Sequence, residues 1–334
     1  VQVASNRAVA PQTAIIISFV LTCVFVYTSG LRGAAWVSVI KDIMMIVAVF
    51  VVGLGVPMIY FGGFGKMFDV LIEKMPQHLV FPGSAPHMDV WWVMSTILLT
   101  ALGFYMWPHV FGSAFSAKSD QVIKRNAIIM PFYQIPILLI FMVGFTALLV
   151  LPGLENADLS FLALVNQTYS PWFMGFVGAA GAVTAMVPSA ILVLFAATLI
   201  TKNVYQAAFN PRAGEQKIMR LSRFMVLVIM TLGLFFAVVF PNELVNLLIL
   251  GYDGVCQFFP GVVLGLFWKK VTRTGVLAGL ITGTGLVLVL IFSGSDPFLG
   301  LNAGFVGLLV NAAVAVLVSL ATASQRDTHA WELE

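Results

Sequence analysis

The stretch GFYMWPHVFG, residues 103–112, interrupts a run that is otherwise apolar enough to cross a lipid bilayer. Pro108 has no N–H to donate, and its ring clashes with the carbonyl group of Phe104, four residues earlier. Backbone groups freed in this way are tolerated at membrane depth only where they are buried in protein or line a wet cavity. The stretch therefore predicts a broken membrane helix beside a polar chamber, although a plain proline kink has the same signature.

The composition places most of the chain in lipid. Of 334 residues, 60% are hydrophobic and only 9% are charged, and the mean hydropathy is +1.01. A soluble domain carries about 25% charged residues, so this chain cannot cover a water-facing surface. Cys23 and Cys256 lie in apolar runs without the spacing of a metal or redox site, which predicts small buried side chains. We expect an all-α, polytopic integral membrane protein.

Nine segments are long enough to span a bilayer, which takes about 20 apolar residues. They are residues 11–29, 36–61, 91–115, 126–152, 172–200, 221–240, 243–267, 274–293 and 302–322. Fourteen of the 17 Lys and Arg residues fall on alternate connections between them, leaving only Arg7, Lys66 and Lys74 on the opposite side. Because basic residues mark cytoplasmic loops, we expect a multi-pass protein of the cell membrane with its carboxyl end in the cytoplasm.

Aromatic and polar side chains surround the break in the third segment. Tyr105, Trp107 and His109 beside Pro108 favour a solute pocket over a simple kink, because transporters place solutes at discontinuous helices. His109 admits two interpretations, a titrating group in a coupling step or a neutral side chain that caps a freed carbonyl group.

A second proline lies inside GAVTAMVPSA, residues 181–190, and predicts a second break. Pro188 frees the carbonyl group of Thr184, and the hydroxyls of Thr184 and Ser189 lie nearby. Oxygen ligands of this kind suit a hard cation such as Na⁺. The alternative is that both hydroxyls bond back to their own helix.

Acidic residues inside the spans are scarce and therefore informative. Asp42 follows Lys41, which predicts an ion pair. Asp253, in LGYDGVCQFFPG (250–261), has no basic neighbour in sequence. One interpretation is that Asp253 binds a proton or a cation in a coupling step. The other is that it caps a helix that the neighbouring glycines and Pro260 open.

Three stretches together resemble the sodium/solute symporters, the family of proline, pantothenate, sugar, sialic acid and monocarboxylate carriers. They are YTSGLRGAAWVSVIKDIMM (27–45), GFYMWPHVFG with the following SAFSAKS (103–119), and FFPGVVLGLFWKKVTRTGVLAG (258–279). The resemblance covers essentially the whole chain. It implies a LeuT-like core of two inverted five-helix repeats that works by alternating access. It also implies that residues 1–334 form one transporter domain, the last nine of thirteen spans, and that the chain is a fragment.

The resemblance also implies site residues. Its solute-facing positions fall on Thr100, Gly103, Phe104, Tyr105 and Pro108, to which the residues themselves add His109. Its sodium site falls on Thr184, Val187 and Pro188, with Ser189 as a substitute ligand.

The sodium site departs from the family pattern, because the usual pair of adjacent hydroxyls is replaced by Val187 and Pro188. Losing two ligands from a dehydrated Na⁺ weakens its binding unless other oxygens replace them. We therefore expect symport of a small organic solute, coupled to Na⁺ or H⁺. Monocarboxylate permease-like members are similar in this replacement, which favours a monocarboxylate.

Other functional classes fit the sequence less well. A transporter-like sensor or a channel remains the alternative to a carrier. The chain lacks HExxH, a Gly-x-Ser-x-Gly elbow and paired intramembrane aspartates, so an enzyme is not expected. The basic residues flank membrane segments instead of forming one face, which argues against nucleic-acid binding. The expected partners are a solute, a coupling cation and lipid, and no organic cofactor is predicted.

Overall fold

The computed structural model describes residues 11–80, 89–115, 117–154, 156–239 and 244–323, with only the backbone at 11–12, 29–32 and 244–247. This part of the chain is almost entirely helical. The helices are α1 (Pro11–Phe61), α2 (Phe64–Lys74), α3 (Val90–Gly103), α4 (Pro108–Phe115), α5 (Asp120–Ile129), α6 (Ile135–Val150), α7 (Ser160–Thr168), α8 (Pro171–Leu199), α9 (Glu215–Val239), α10 (Leu244–Val255), α11 (Phe258–Phe267), α12 (Arg273–Phe292) and α13 (Ala303–Thr322).

The membrane spans agree with the hydropathy pattern from residue 33 onward. Seven helical stretches of the described ranges are long and apolar enough to cross a bilayer, and α3 with α4 forms an eighth, bent span. A shorter apolar stretch, Thr13–Thr28, covers the first predicted span. The prediction of an all-helical membrane bundle is therefore confirmed, and the chain is a multi-pass membrane protein.

The predicted turn between the first two spans is wrong. Residues 11–29 and 36–61 belong to one helix, α1, of 51 residues. At 1.5 Å per residue it is about 77 Å long, far more than the roughly 30 Å of one hydrocarbon layer. The connecting residues TSGLRGA contain no proline. Glycine costs a helix only about 1 kcal/mol per residue, so the hydrogen-bonded backbone continues through them.

The helices fall into two compact units. The first comprises Val1–Met75 and Ser116–Pro241. In it α8 packs along α1, through one cluster that includes Val52, Val56 and Met174 and another that includes Val26 and Ala190. The predicted pair is present, because Lys41 Nζ lies 2.7 Å from Asp42 Oδ1, which also accepts a 2.8 Å hydrogen bond from the Tyr133 hydroxyl.

The second unit comprises Pro76–Phe115 and Asn242–Glu334. Its most extensively packed helix pair is α12 with α13. Gly275, Gly279 and Gly283 recur every four residues along α12 and face α13. A Cβ on Gly279 would stand 2.6 Å from the carbonyl oxygen of Asn311 and 2.8 Å from Ala315 Cβ. Small residues at this spacing let two membrane helices approach closely enough to pack by dispersion contacts.

We expect Gly279→Ala to destabilise the protein, because the added methyl group must push α12 away from α13. Overpacking of this kind costs roughly 1–3 kcal/mol. The thermal melting midpoint of the purified protein in detergent measures the effect. Gly285→Ala is the matched control, since a Cβ there meets nothing within 4 Å and alanine favours a helix. Equal midpoints for the two variants would contradict this packing.

Candidate functional site

The predicted break in the third span is confirmed. α3 ends at Gly103, one 3₁₀ turn follows at Phe104–Met106, and α4 starts at Pro108 with the axis bent by 44°. Trp107 has the extended angles φ −59° and ψ 126°. Its carbonyl oxygen accepts hydrogen bonds from the N–H groups of Val110 (3.0 Å) and Phe111 (2.9 Å). Pro108 is therefore the first residue of a new helix, where its missing N–H costs nothing.

α10 packs directly behind this break. A Cβ on Gly103 would lie 3.2 Å from Cys256 Cβ and 3.2 Å from Tyr252 Cδ1. The Trp107 ring meets the Tyr252 ring edge to face at 5.5 Å, and it covers Gly251. The break is thus held by its contacts with α10 as well as by its proline.

The other residues predicted to face a solute lie around the same bend. Tyr105 is 43% exposed, and its ring stands 5.3 Å from that of Phe104. The Thr100 hydroxyl donates to the carbonyl groups of Thr96 and Ile97. His109 packs near the Trp107 ring, and its buried Nδ1 has no hydrogen-bond partner among the described groups. Capping of a freed carbonyl group through Nδ1 is therefore not observed.

The predicted break at residues 181–190 is wrong. α8 runs without interruption from Pro171 to Leu199, with Pro188 inside it, and continues over Ile200–Phe209 with π-helical hydrogen bonding. Pro188 removes only one backbone hydrogen bond. Its neighbours Val187 and Ala190 are buried, and the packing of Ala190 against α1 keeps the helix continuous.

The two hydroxyls beside Pro188 differ in their partners. Ser189 Oγ donates to the carbonyl oxygen of Ala185 at 2.7 Å, so it bonds back to its own helix. Thr184 Oγ1 is buried and has no hydrogen-bond partner. Val187 is 2% exposed and offers no side-chain oxygen. Of the predicted cation ligands, only the Thr184 hydroxyl is left without a partner. No group of three His, Cys, Asp or Glu residues that could hold a metal ion occurs in the described ranges.

A buried polar cluster in the second unit was not predicted. Four residues, Asp253, Gln257, Asn302 and Asn311, are at most 2% exposed, and we call them the Asp253 cluster. Gln257 lies in the turn between α10 and α11. Its Nε2 donates to the carbonyl groups of Asp253 (3.1 Å) and Gly304 (3.0 Å). Asn311 Nδ2 donates to the carbonyl oxygen of Gln257 (2.7 Å) and to its Oε1 (3.2 Å).

Asp253 does not cap a helix with its side chain, as one interpretation of the sequence proposed. Its Oδ1 lies against Gly304 in the first turn of α13, where a Cβ would overlap it. Asn311, in the middle of the apolar run FVGLLVNAAVAV, is the signal that could have revealed the cluster, because a polar side chain at that depth needs a buried partner.

Comparison with known proteins identifies the family. The sequence profile of the sodium:solute symporter family matches residues 7–283. The chain belongs to this family. It is 41% identical to the uncharacterized symporter YhjB of Bacillus subtilis, over 98% of this chain and 69% of that protein. It is 30% identical to the monocarboxylate transport permease protein of Rhizobium johnstonii, over 91% of this chain and 64% of that protein.

The fold matches that of a solved member of the family. A Na⁺-coupled sialic acid symporter in a substrate-bound outward-open state superposes with a TM-score of 0.76 at 15% identity. The match covers 94% of this chain and 67% of that structure. The expected LeuT-like fold is therefore confirmed. The chain spans about two thirds of the length of these relatives. The matching family and the matching structure are transporters, not enzymes.

We expect a disulfide between α3 and α10 in the Gly103→Cys variant. The ideal Cβ at position 103 lies 3.2 Å from Cys256 Cβ. This is close to the Cβ–Cβ distance of about 3.5–4.5 Å in a disulfide. Mild oxidation should lower the number of free thiols by two, counted by alkylation and mass spectrometry. Gly265→Cys is the control and should lose none, because a Cβ at position 265 meets nothing within 4 Å. An unchanged thiol count in both variants would contradict the contact behind the break.

Proposed function

We propose that this chain forms the core of a secondary active transporter, which carries a small organic solute across the membrane by alternating access in symport with a cation. The observation that carries the proposal is the broken span at residues 103–108 in a member of a symporter family. The break ends the regular α-helical hydrogen bonding beside the aromatic rings of Phe104 and Tyr105. Such discontinuous helices supply polar atoms for a solute at membrane depth.

The solute is proposed to contact Thr100, Gly103, Phe104, Tyr105, Pro108 and His109. These residues are mostly aromatic or neutral, and none of them carries a fixed charge. The 30% identity with a monocarboxylate transport permease supports a monocarboxylate as the solute. An anionic carboxylate would accept a hydrogen bond from the backbone N–H group of His109 in the first turn of α4, where the helix dipole favours negative charge.

The coupling ion is proposed to be Na⁺, as the family name indicates, held by the hydroxyl and the freed carbonyl group of Thr184, beside Val187 and Pro188. The unpartnered Thr184 hydroxyl supports this assignment, because a buried hydroxyl without a partner is costly unless a ligand satisfies it. Ser189 is a weaker candidate, because its hydroxyl donates to its own helix. The cytoplasmic location of the carboxyl end, inferred from the Lys and Arg distribution, stays a prediction.

Uptake into liposomes tests the function. The complete product of the gene that encodes this chain is reconstituted, and labelled monocarboxylates, amino acids and sugars are offered with an imposed Na⁺ or H⁺ gradient. We expect concentrative uptake of a monocarboxylate. Phe104→Ala and Tyr105→Ala should each lower uptake about tenfold, since losing a well-packed aromatic contact costs on the order of 1.4 kcal/mol.

Arg125→Ala is the control variant for this assay, because Arg125 lies exposed on α5 outside the candidate site. Its uptake should equal that of the unmodified protein. Normal uptake by both aromatic variants would contradict the solute site. Flux that runs only down the solute gradient, whatever the ion gradients, would identify a channel and contradict the carrier.

A binding measurement separates the two hydroxyls beside Pro188. A ligand that binds the folded protein raises its stability by RT ln(1 + [L]/Kd), so Na⁺ should raise the melting midpoint relative to K⁺ at equal ionic strength. Thr184→Val should weaken apparent Na⁺ affinity about tenfold or more, because each tenfold loss corresponds to about 1.4 kcal/mol. Thr184→Ser, which keeps the hydroxyl, should restore it.

Ser189→Ala is the matched control and should respond to Na⁺ as the unmodified protein does. A loss of the Na⁺ response in Ser189→Ala but not in Thr184→Val would reverse the assignment. No Na⁺ response in the unmodified protein would exclude tight Na⁺ binding at this site.

A further inference from the structure

The Asp253 carboxyl group is placed where an ionised carboxylate is poorly accommodated. It lies in the membrane span Leu248–Phe267 and is 2% exposed. Its Oδ1 is buried against the backbone of Gly304 and has no hydrogen-bond partner. Each unsatisfied polar atom at this depth is costly, so the group calls for a ligand that the described residues do not supply.

The neighbouring polar groups do not neutralise it. The Gln257 amide is occupied by the carbonyl groups of Asp253 and Gly304 and by Asn311. The Asn302 amide lies close enough to act as a donor toward the Asp253 carboxyl, but its Nδ2 is buried without a well-formed hydrogen bond. Its Oδ1 accepts from the N–H group of Phe305 at 3.1 Å.

No described cation faces Asp253 from the elements packed against α10. α3 and α13 carry no Lys, Arg or His, and Arg273 starts α12 at the end that packs on Thr322. The titratable groups on or beside these elements are Asp89, which caps α3, Asp296, which acts on Asp253, Tyr252 and Cys256, and His109 beyond the Trp107 ring. None of these provides a fixed positive charge.

The amino end of α13 is too weak to hold the charge by itself. A helix dipole stabilises a nearby anion only modestly, whereas removing an ion from water carries a larger free-energy cost even after the protein relaxes. The first N–H group of the helix is already used, since Ala303 donates to Asp296 Oδ1 at 3.1 Å. These surroundings favour the neutral, protonated acid over the carboxylate.

A metal cation fits these surroundings less well than a proton. Na⁺ needs several oxygen ligands, but the side chains of Gln257 and Asn302 present amide N–H groups near the carboxyl. A proton needs only one oxygen atom. Binding forms an O–H bond on the Asp253 carboxyl and converts one hydronium ion to water, and release reverses this step.

We propose that Asp253 is a proton-binding site of the carrier, which exchanges its proton with water when α10 separates from the start of α13. α10 is the helix behind the broken span, because Gly251, Tyr252 and Cys256 pack on Trp107 and Gly103. A solute that moves the break therefore acts on the helix that bears Asp253. The exchange of the proton during transport rests on the proposed transport function. The protonated state of Asp253 does not depend on it.

Infrared difference spectroscopy tests the protonated state without transport. The complete gene product in lipid at pH 7 should show the C=O stretching band of a protonated carboxylic acid. The band should move on ¹³C labelling of aspartate, shift in D₂O, and be absent from Asp253→Asn. Asp42→Asn is the control, because Asp42 is an aspartate of a membrane span that is paired with Lys41, and it should keep the band.

Asp253→Glu provides a second variant should Asp253→Asn fail to fold. It keeps an acid in the cluster, so the band should respond to labelled glutamate instead of labelled aspartate. Absence of an aspartate acid band from the unmodified protein would overturn the proposal, even if neither variant folds. A band that does not shift in D₂O would overturn the exchange with water.

Transport separates the two proposals. With solute added to liposomes, proton movement should accompany uptake by the unmodified protein and fall about tenfold or more in Asp253→Asn. If no solute is taken up but the acid band is clear, the proposed carrier function is overturned and the proton-binding site stands. Normal solute uptake by a protein that lacks the acid band would overturn the proton site but leave the proposed carrier function standing. Unchanged proton movement in Asp253→Asn during normal uptake would have the same meaning.

Discussion

The structure depends on one constraint, that polar groups at membrane depth have no water to bind and must find partners within the protein. Helices satisfy the backbone, and most hydroxyls satisfy themselves locally. Thr22, Thr198, Thr231 and Thr282 all donate to the carbonyl group four residues earlier. Against this background the exceptions carry information. Among the described residues, Thr184 Oγ1, His109 Nδ1 and Asp253 Oδ1 are three of the five buried side-chain atoms without partners, along with Thr96 Oγ1 and Asn302 Nδ2. At each of the first three, a ligand or a proton would complete the bonding.

Close packing between helices follows from the same environment. Lipid tails are as apolar as leucine, so membrane helices associate through dispersion contacts and hydrogen bonds. The glycines of α12 allow Asn311 to approach the backbone, and Gly304 allows Asp253 to lie on the first turn of α13. Because glycine has no side chain, these positions leave space for the buried polar cluster. Packing and chemistry therefore use the same small residues.

Two prolines in similar apolar surroundings have different effects, and the reason is tertiary. Pro108 follows Trp107, whose ring is seated on Gly251 and Tyr252, so the bent conformation gains contacts. Pro188 lies on a helix whose buried residues pack along α1 on both sides of it, so a bend there would lose contacts. One missing N–H group is a small effect, and the neighbouring helix decides whether the backbone breaks.

The sequence by itself determined the membrane location, the spans from residue 33 onward, the break before Pro108 and the family, because hydropathy and local motifs act over one helix. Only the tertiary structure decided the continuous α8, the unpartnered hydroxyl of Thr184 beside Pro188 and the Asp253 cluster. Residues of that cluster lie up to 58 positions apart (253 to 311). The partner of a buried polar group is set by which helix lies beside it, and no local pattern encodes that neighbour.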